Sequence, residues 1–270
     1  MKLSDAIRLL SAAGIESAAF DARELFSRFG GFSRVQMMAD DVECGSDELC
    51  LAVSRRASRE PLQYILGRVG FYREEYKVDA RVLIPRADTE LLVDYAVKNI
   101  PCGARFLDVC TGSGCVGVSV LRNTEKTLAV LLDISEGALE LAAENAALNG
   151  VCARASFVRA DATVSAAEGK FFAVLSNPPY VAEQAYLGLE DEIFHEPRIA
   201  FVGGEDGGDF YRCLVPMYKN KIENGGFIAF EIGYDQAGLL RGIAEAEGMS
   251  CEILCDLGGN DRVAVLRREI

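Results

Sequence analysis

"FLDVCTGSGCVG", residues 106 to 117, is an apolar run, a glycine turn and the start of a second apolar stretch. The run reads as a short buried strand. The stretch after it, "CVGVSVLRN" (115–123), reads as a helix despite its valines, because Gly112 and Gly114 let the backbone turn tightly between the two. A strand feeding a helix through such a turn belongs to a doubly wound α/β sheet, and the flanking sequence repeats the alternation. Upstream, "ADTELLVDYAVKNI" (87–100) has helical spacing at Leu91, Leu92, Tyr95, Ala96 and Ile100. Downstream, "TLAVLLDI" (127–134), "ASFVRAD" (155–161) and "FFAVLSN" (171–177) read as strands. The helix "SEGALELAAENAALNG" (135–150) lies between the first two, capped by Ser135 and stopped by Gly150. Helices over 209–226, where Pro216 is placed to kink, and 234–248 alternate with strands over 226–233 and 250–257. The last predicted strand, "DRVAVLRRE" (261–269), follows "GGND", which is too short for a helix. The closing pair therefore reads as an antiparallel hairpin at one edge of a mostly parallel sheet.

The first 66 residues are different. "SDAIRLLSAAG" (4–14, capped by Ser4 or Asp5), "SAAFDARELFSRFGG" (17–31) and "SDELCLAVSRRASRE" (46–60, capped by Ser46 or Asp47) are amphipathic and glycine-stopped or capped. They predict a small helical domain over 1–66. "GRVGFYREEYKVDARVLIP" (67–85) has aromatic and β-branched residues in short runs and predicts a β-hairpin linker over 67–84. Residues 85–270 then form the α/β domain.

Composition narrows the function. The net charge is −13, about −2 up to residue 66 and −11 beyond it. A protein that neutralises many phosphates needs basic surface, which this chain lacks in bulk, so no direct nucleic-acid partner is expected. Nothing approaches an 18-residue apolar run, and Asp5 and Arg8 interrupt the apolar pattern of the N-terminus. A membrane span and a secretory leader are both unexpected. Nine cysteines with no C-x-x-C pair, and His195 as the only histidine, fit reduced thiols in a cytoplasmic protein and no metal site. His195, in a loop before Glu196 and Pro197, reads as structural rather than as a general base.

The turn and the strand ends carry the chemistry. Gly112 and Gly114 allow a ligand to approach the backbone, and the helix that follows offers free N–H groups. Nineteen residues after Gly114, Asp133 ends the next strand, where an acid can accept both hydroxyl protons of a ribose. Asp161 ends the third strand at the same carboxyl edge. Gly112, Gly114 and Gly117 fit G-x-G-x-x-G, the pattern of dinucleotide sites. Asp108, however, suits a ligand with cationic groups, such as the amine and sulfonium of S-adenosyl-L-methionine, better than a pyrophosphate. At the end of the fourth strand, "VLSNPPYVAE" (174–183) stops abruptly at two prolines. Pro178 and Pro179 stiffen the backbone and leave carbonyls free of a ladder. The side-chain carbonyl of Asn177 beside them gives two acceptors, which suit an NH2 group, and Tyr180 adds a flat face for a planar amide or base.

Asn-Pro-Pro-Tyr after the fourth strand resembles the mark of methyltransferases that act on planar amino groups, on nucleic acids or on glutamine. More of the chain is similar to one family, the release-factor glutamine N5-methyltransferases (PrmC, also called HemK). "AGIESAAFDARELF" (13–26), "REPLQYILGRVGF" (59–71), "LIPRADTELLV" (83–93), "LDISEGALELAAENAALNG" (132–150), "HEPRIAFVGGEDGGDFY" (195–211) and "DLGGNDRV" (256–263) follow the family's order over nearly the whole length. The resemblance implies a Rossmann-like class I methyltransferase preceded by a helical substrate-docking domain. It implies S-adenosyl-L-methionine as cofactor, class 1 peptide chain release factors as partners, and methylation of the glutamine amide in their Gly-Gly-Gln motif. Carried across, Cys110, Thr111, Gly112, Ser113 and Gly114 would hold the methionine part of the cofactor, with Asp108 beneath. Asp133 would bind ribose, and Asp161 and Ala162 would border adenine. Asn177 and Pro178 would bind the substrate amide with Tyr180 and Pro179 beside it, and Pro85 and Arg86 would line the entry. Asn177, Pro178 and Tyr180 are thus the expected catalytic group.

Three positions depart from the family's pattern. Cys110 stands where glycine is common, and a residue with a Cβ is expected to avoid φ > 0 there. Ala87 replaces the usual proline after "IPR". Ala162 replaces an aromatic residue beside adenine, which leaves adenine to pack on other apolar groups. Two alternative readings remain at this point. One is a methyltransferase for exocyclic amino groups of nucleic acid or for a ribosomal-protein glutamine. The other is a cofactor-binding interaction protein without catalysis, which Cys110 alone supports.

Overall fold

A computed structural model describes residues 1–268, so Glu269 of the predicted last strand lies outside the described residues. The chain divides into two compact units, one of Met1–Arg68 with Glu190–His195 and the other of Val69–Leu189 with the chain from Glu196 onward.

The first unit is helical: α1 Leu3–Ala12, α2 Ala18–Gly30, α3 Arg34–Ala39, α4 Asp47–Ala57 and α5 Leu62–Leu66. Ser46 caps α4 as expected by accepting from the Leu49 N–H. α1 starts earlier than either predicted cap, at Leu3. Leu3, Ala6 and Leu10 are buried at helical spacing, so burial of Leu3 sets the start. Ser4 instead donates through its backbone N–H and its hydroxyl to Asp41, at 2.9 and 2.8 Å. Inside this unit Arg56 is a buried cation. Its Nε donates to Asp21 at 2.6 Å and its Nη2 to Glu192 at 2.8 Å. Arg56 and Asp21 are both nearly inaccessible to water.

The boundary falls at the first residue of a two-stranded hairpin, β1 Arg68–Phe71 and β2 Glu74–Lys77, the rest of which belongs to the second unit. α6 (Glu90–Asn99), β3 (Arg105–Val109), α7 (Cys115–Asn123), β4 (Leu128–Asp133), α8 (Glu136–Leu148), β5 (Ala155–Arg159) and β6 (Phe171–Ser176) follow. After the short α9 (Glu183–Tyr186) come α10 (Asp209–Tyr218, with Pro216 inside it), β7 (Ile222–Glu231), α11 (Ala237–Ala246), β8 (Met249–Cys255) and β9 (Asp261–Arg268). Among the described residues, seven strands make one sheet in the order β5-β4-β3-β6-β7-β9-β8. β5 to β7 pair in parallel, and β9 is antiparallel to both β7 and β8.

The central strands are buried on both faces, as parallel sheets require. Alternate side chains serve two cores. Phe106, Leu131 and Leu175 pack with α6, α7 and α8, while Leu107, Val130 and Val174 pack with α10 and α11. The valines of α7 are tolerated because Val116, Val118 and Val120 are all buried, and that burial outweighs their weak helix propensity. The chain winds outward from β3 towards β5 on one side and through β6 to β7 on the other. The switch in direction lies between β3 and β6, where α/β sheets bind ligands at their carboxyl ends.

Replacing Arg56 by Leu strands the Asp21 carboxylate in an apolar interior. We expect a loss of roughly 3–5 kcal/mol, read as a lower denaturant midpoint. Replacing Arg56 and Asp21 together by Leu and Asn should recover part of it, and an unchanged midpoint in the single variant would refute the assignment.

Candidate active site

The β3–β6 pairing builds the site. Val109 lies opposite Ser176, and the Ser176 hydroxyl donates to the Val109 carbonyl at 2.6 Å. The residues that leave these strand ends, Cys110 and Asn177, therefore emerge side by side. Both line a cavity of about 300 Å³ together with Gly112, Asp133, Asp161, Ala162 and Pro179. A smaller adjoining cavity is lined by Pro85, Arg86, Thr89, Asp108, Thr111, Gly112 and Ser113, and again by Cys110 and Asn177. Neither cavity is lined by Pro178, which is buried, or by Tyr180, which is half-buried. Gly114, at φ 80°, caps α7 behind the turn.

The turn rests on a buried carboxylate. Asp108 Oδ2 accepts from the Thr111 hydroxyl at 2.5 Å and from the Gly117 N–H at 3.0 Å. A Cβ at Gly117 would stand 2.9 Å from that same oxygen, so the third glycine of the pattern lets the helix reach the acid. Burial pushes the Asp108 carboxyl up to about 7, with the Thr111 and Gly117 hydrogen bonds acting against it.

Cys110 differs from expectation. Its φ is 57°, the left-handed region, where a β-like conformation was expected. The neighbours dictate this outcome: Thr111 N–H donates to Leu132 O at 3.1 Å, and Gly114 N–H donates to Thr111 O at 2.8 Å. These bonds hold the turn in the glycine geometry, so the cysteine takes the strain, on the order of 1–2 kcal/mol. Burial, and then the nearby Asp133, push the Cys110 thiol well above its usual value, so it remains protonated.

Asp133 accepts from the Gly112 N–H at Oδ2 and from the Ser135 N–H at Oδ1, both at 2.9 Å. A carboxylate has about four acceptor positions, so two remain for a diol. Asp161 accepts from the Thr163 N–H and hydroxyl on Oδ1 only, and these bonds hold its carboxyl below the usual range. Ile134, Ile199 and Phe210 add apolar wall to the larger cavity. Nothing in the sequence pattern marked Phe210, because it sits on a helix far along the chain.

Asn177 Nδ2 donates to the Thr89 hydroxyl at 3.1 Å, which turns its Oδ1 away from that contact. Among the described residues no hydrogen bond reaches the Pro178 carbonyl. The carbonyls beyond it are occupied: Tyr180 O accepts from Gln236 Nε2 at 3.0 Å, and Val181 O accepts from the Gly203 N–H at 2.9 Å. Gly203 and Gly207 press on this segment so closely that a Cβ would lie 2.3 Å from Pro179 O and 2.1 Å from Tyr180 O. Arg86 pairs with buried Glu196, whose Oε2 also accepts from the Ile84 N–H at 2.9 Å. His195 is exposed and belongs with the helical unit. The strand ends therefore offer an acid with acceptor positions left over, a second acid beside apolar walls, and a pair of uncommitted acceptors next to a stiff backbone.

Two predictions test this geometry. Cys110→Gly should keep stability and ligand affinity near wild type, whereas Cys110→Val, β-branched at φ > 0, should lower both, by about 1–2 kcal/mol in stability. Equal melting temperatures for the two variants would contradict the left-handed turn. The second concerns Asp108, whose folded value of about 7 lies above its ordinary 3.8. Its contribution is fully present below the ordinary value and is lost as pH rises through about 7. Asp108→Asn should therefore gain stability relative to wild type between pH 4 and pH 8, and a pH-independent difference in chemical denaturation would refute it.

Comparison with known proteins identifies the family. Residues 2–67 match the PrmC N-terminal domain and residues 86–205 the methyltransferase small domain. The release factor glutamine methyltransferase of Moorella thermoacetica is 34% identical over 268 residues, 96% of this chain and 95% of that protein. That of Geobacter sulfurreducens is 36% identical over 260 residues, 94% and 91% of the two chains. Among solved structures, a ribosomal protein L11 methylase from Lactobacillus delbrueckii subsp. bulgaricus superposes with a TM-score of 0.53 at 19% identity. It covers 72% of this chain and 84% of its own, a likeness of fold alone. With curated relatives above 30% identity over nearly their whole length, the chain belongs to the release factor glutamine methyltransferase family.

Proposed function

We propose that this protein transfers a methyl group from S-adenosyl-L-methionine to the side-chain amide nitrogen of the glutamine in the Gly-Gly-Gln motif of class 1 peptide chain release factors. The observation that carries the reading is the Asn177 side chain, whose NH2 is spent on Thr89 so that Oδ1 is left as an acceptor beside the unbonded Pro178 carbonyl. An amide nitrogen is a poor nucleophile because its lone pair is delocalised. Two acceptors bind both of its hydrogens and aim it, and orientation of this kind contributes up to roughly 7–11 kcal/mol. No strong base is required, since the proton is lost after the nitrogen has been alkylated. Tyr180 packs beside the amide, and Pro85 and Arg86 border its entry.

The cavity fits the cofactor by the chemistry of its donors. S-adenosyl-L-methionine, when bound, supplies an electrophilic methyl on a sulfonium. The Cys110–Gly114 turn would hold the methionine part over Asp108, Asp133 the ribose, and Asp161 with Ala162 the edge of adenine. Ile134, Ile199 and Phe210 supply the apolar packing that Ala162 does not. The protonated state of Cys110 matters here, because a thiolate at this position would compete for the methyl. In the helical unit Phe20, Val35, Met38 and Leu51 are exposed, in keeping with a docking surface for the protein substrate. No helix among the described residues is long and apolar enough to cross a membrane, and all nine cysteines are free. A cytoplasmic location is part of this reading, in keeping with a release factor as the substrate.

Mass spectrometry of purified class 1 release factor after incubation with enzyme and S-adenosyl-L-methionine should show one added methyl on the Gly-Gly-Gln glutamine. Asn177→Ala should abolish that gain while cofactor affinity by calorimetry stays within a few-fold. No gain with folded release factor, or labelled methyl entering nucleic acid instead, would overturn the substrate.

A further inference from the structure

Gln236, the residue before α11, is 8% exposed, and both ends of its side-chain amide are engaged. Oε1 accepts from the Gly233 N–H at 2.9 Å and from the Tyr211 hydroxyl at 3.2 Å. Nε2 donates to Tyr180 O at 3.0 Å and to Gly207 O at 3.4 Å. Backbone groups fix the direction of this amide. The Gly233 N–H only donates and the two carbonyls only accept, so turning the amide over would set donor against donor and acceptor against acceptor. The Gln236 N–H donates to Gly233 O at 3.0 Å, which closes the turn after β7 and fixes where the side chain starts. One side chain thus joins four parts of the chain. They are the turn after β7, the end of the Asn-Pro-Pro-Tyr segment, the Gly203–Gly207 loop, and α10, whose Phe210 lines the larger cavity. The convergence is close: a Cβ at Gly207 would lie 2.1 Å from Tyr180 O and 2.9 Å from Gln236 Nε2.

We propose that Gln236 is a positioning residue that aims the Pro178 carbonyl at the substrate amide, resting on the reading that Asn177 and Pro178 bind that amide. The segment has few ways to move. Pro178 and Pro179 fix their own φ, and each confines the residue before it to extended backbone. At its start, Ser176 is held in the ladder opposite Val109 on one side and Phe230 on the other. Beyond its far end, the Val181 N–H donates to Phe201 O and Val181 O accepts from the Gly203 N–H. These last bonds run to the stretch that enters the Gly203–Gly207 loop, so segment and loop would shift as one without a tie to the sheet. Gln236 supplies that tie, because the amide that grips Tyr180 O and Gly207 O is itself held by the turn at the end of β7. The Tyr180 hydroxyl also meets Glu231 at 3.1 Å, but through a rotatable side chain, whereas Gln236 grips the backbone itself. Without the donor, two carbonyl oxygens that converge on one NH2 group repel each other. The stiff segment then swings about Ser176, and the Pro178 carbonyl swings with it. Gln236 acts on the reaction without touching the substrate.

The test uses the full-length enzyme on intact release factor, with kcat, KM for release factor, cofactor affinity and melting temperature measured separately. Gln236→Met keeps the length of the arm and loses its donor and acceptor. It should lower kcat at least ~10-fold, and up to the roughly 10²-fold that misplacement of a reacting group costs, while KM and cofactor affinity stay within a few-fold of wild type. Gln236→Asn keeps the amide but shortens the arm, so that it cannot hold Gly233 and Tyr180 together. It should lose kcat in the same direction, and it carries the test if Gln236→Met does not fold. Tyr211→Phe removes a hydroxyl from the acceptor side and leaves Nε2 on Tyr180 O. It should lower the melting temperature and leave kcat near wild type. Wild-type kcat in the Gln236 variants overturns the proposal, as does a kcat loss in Tyr211→Phe equal to theirs. So does a loss of cofactor affinity in parallel with kcat, which would mark a merely structural amide. Asn177→Ala separates the two readings. If it is inactive while the Gln236 variants are fully active, this proposal alone fails, and if Asn177→Ala retains activity, the reading on which it rests fails as well.

Discussion

The alignment of β3 with β6 is the constraint on which the site depends. Val109 and Ser176 are partners in the ladder, and the Ser176 hydroxyl fastens the last carbonyl of β3. Because side chains alternate along a strand, a slip of one residue would reverse every inward and outward position. The glycine turn and the Asn177–Pro179 segment would then no longer face a common cavity. The two cores lock the register, one through Phe106 and Leu175, the other through Leu107 and Val174. Stability and catalysis thus share the same few side chains at the centre of the sheet.

The site tolerates strain and buried charge in a graded way. Asp108 is fully buried yet accepts two hydrogen bonds, and the turn above it depends on both. Cys110 occupies a glycine conformation because its neighbours leave it no other. Its thiol is kept neutral by the same burial that raises Asp108. Glu231 is buried as well, with one oxygen accepting from the Tyr180 hydroxyl and the other without a hydrogen-bond partner among the described residues. Polar groups are buried here where they organise other polar groups, which is the circumstance in which burial of charge is retained.

Much of this was legible in the sequence, and the misses have physical causes. The α/β alternation, the closing antiparallel pair and the strand-end acids Asp133 and Asp161 could be read because each is a local pattern of apolar runs, glycines and caps. Cys110 was read with the wrong backbone, since its conformation is imposed by hydrogen bonds at Thr111 and Gly114 rather than by its own preference. The start of α1 was misplaced because a buried Leu3 outweighed two good capping residues. The contacts of Thr89 and Glu231 with the Asn-Pro-Pro-Tyr segment could not be read from the sequence. These two residues meet Asn177 and Tyr180 only through the sheet order, from positions 88 and 51 residues away in the chain.

The glycines opposite the substrate segment have a further consequence. Because a Cβ at Gly203 or Gly207 would fall 2.3 Å from Pro179 O or 2.1 Å from Tyr180 O, a side chain at either position would force the backbone apart. These two positions of the loop are therefore closed to substitution by any residue with a Cβ unless the backbone moves. The backbone from Pro179 to Tyr180 is thereby held against the Gly203–Gly207 loop by close backbone contact, with no side chain interposed.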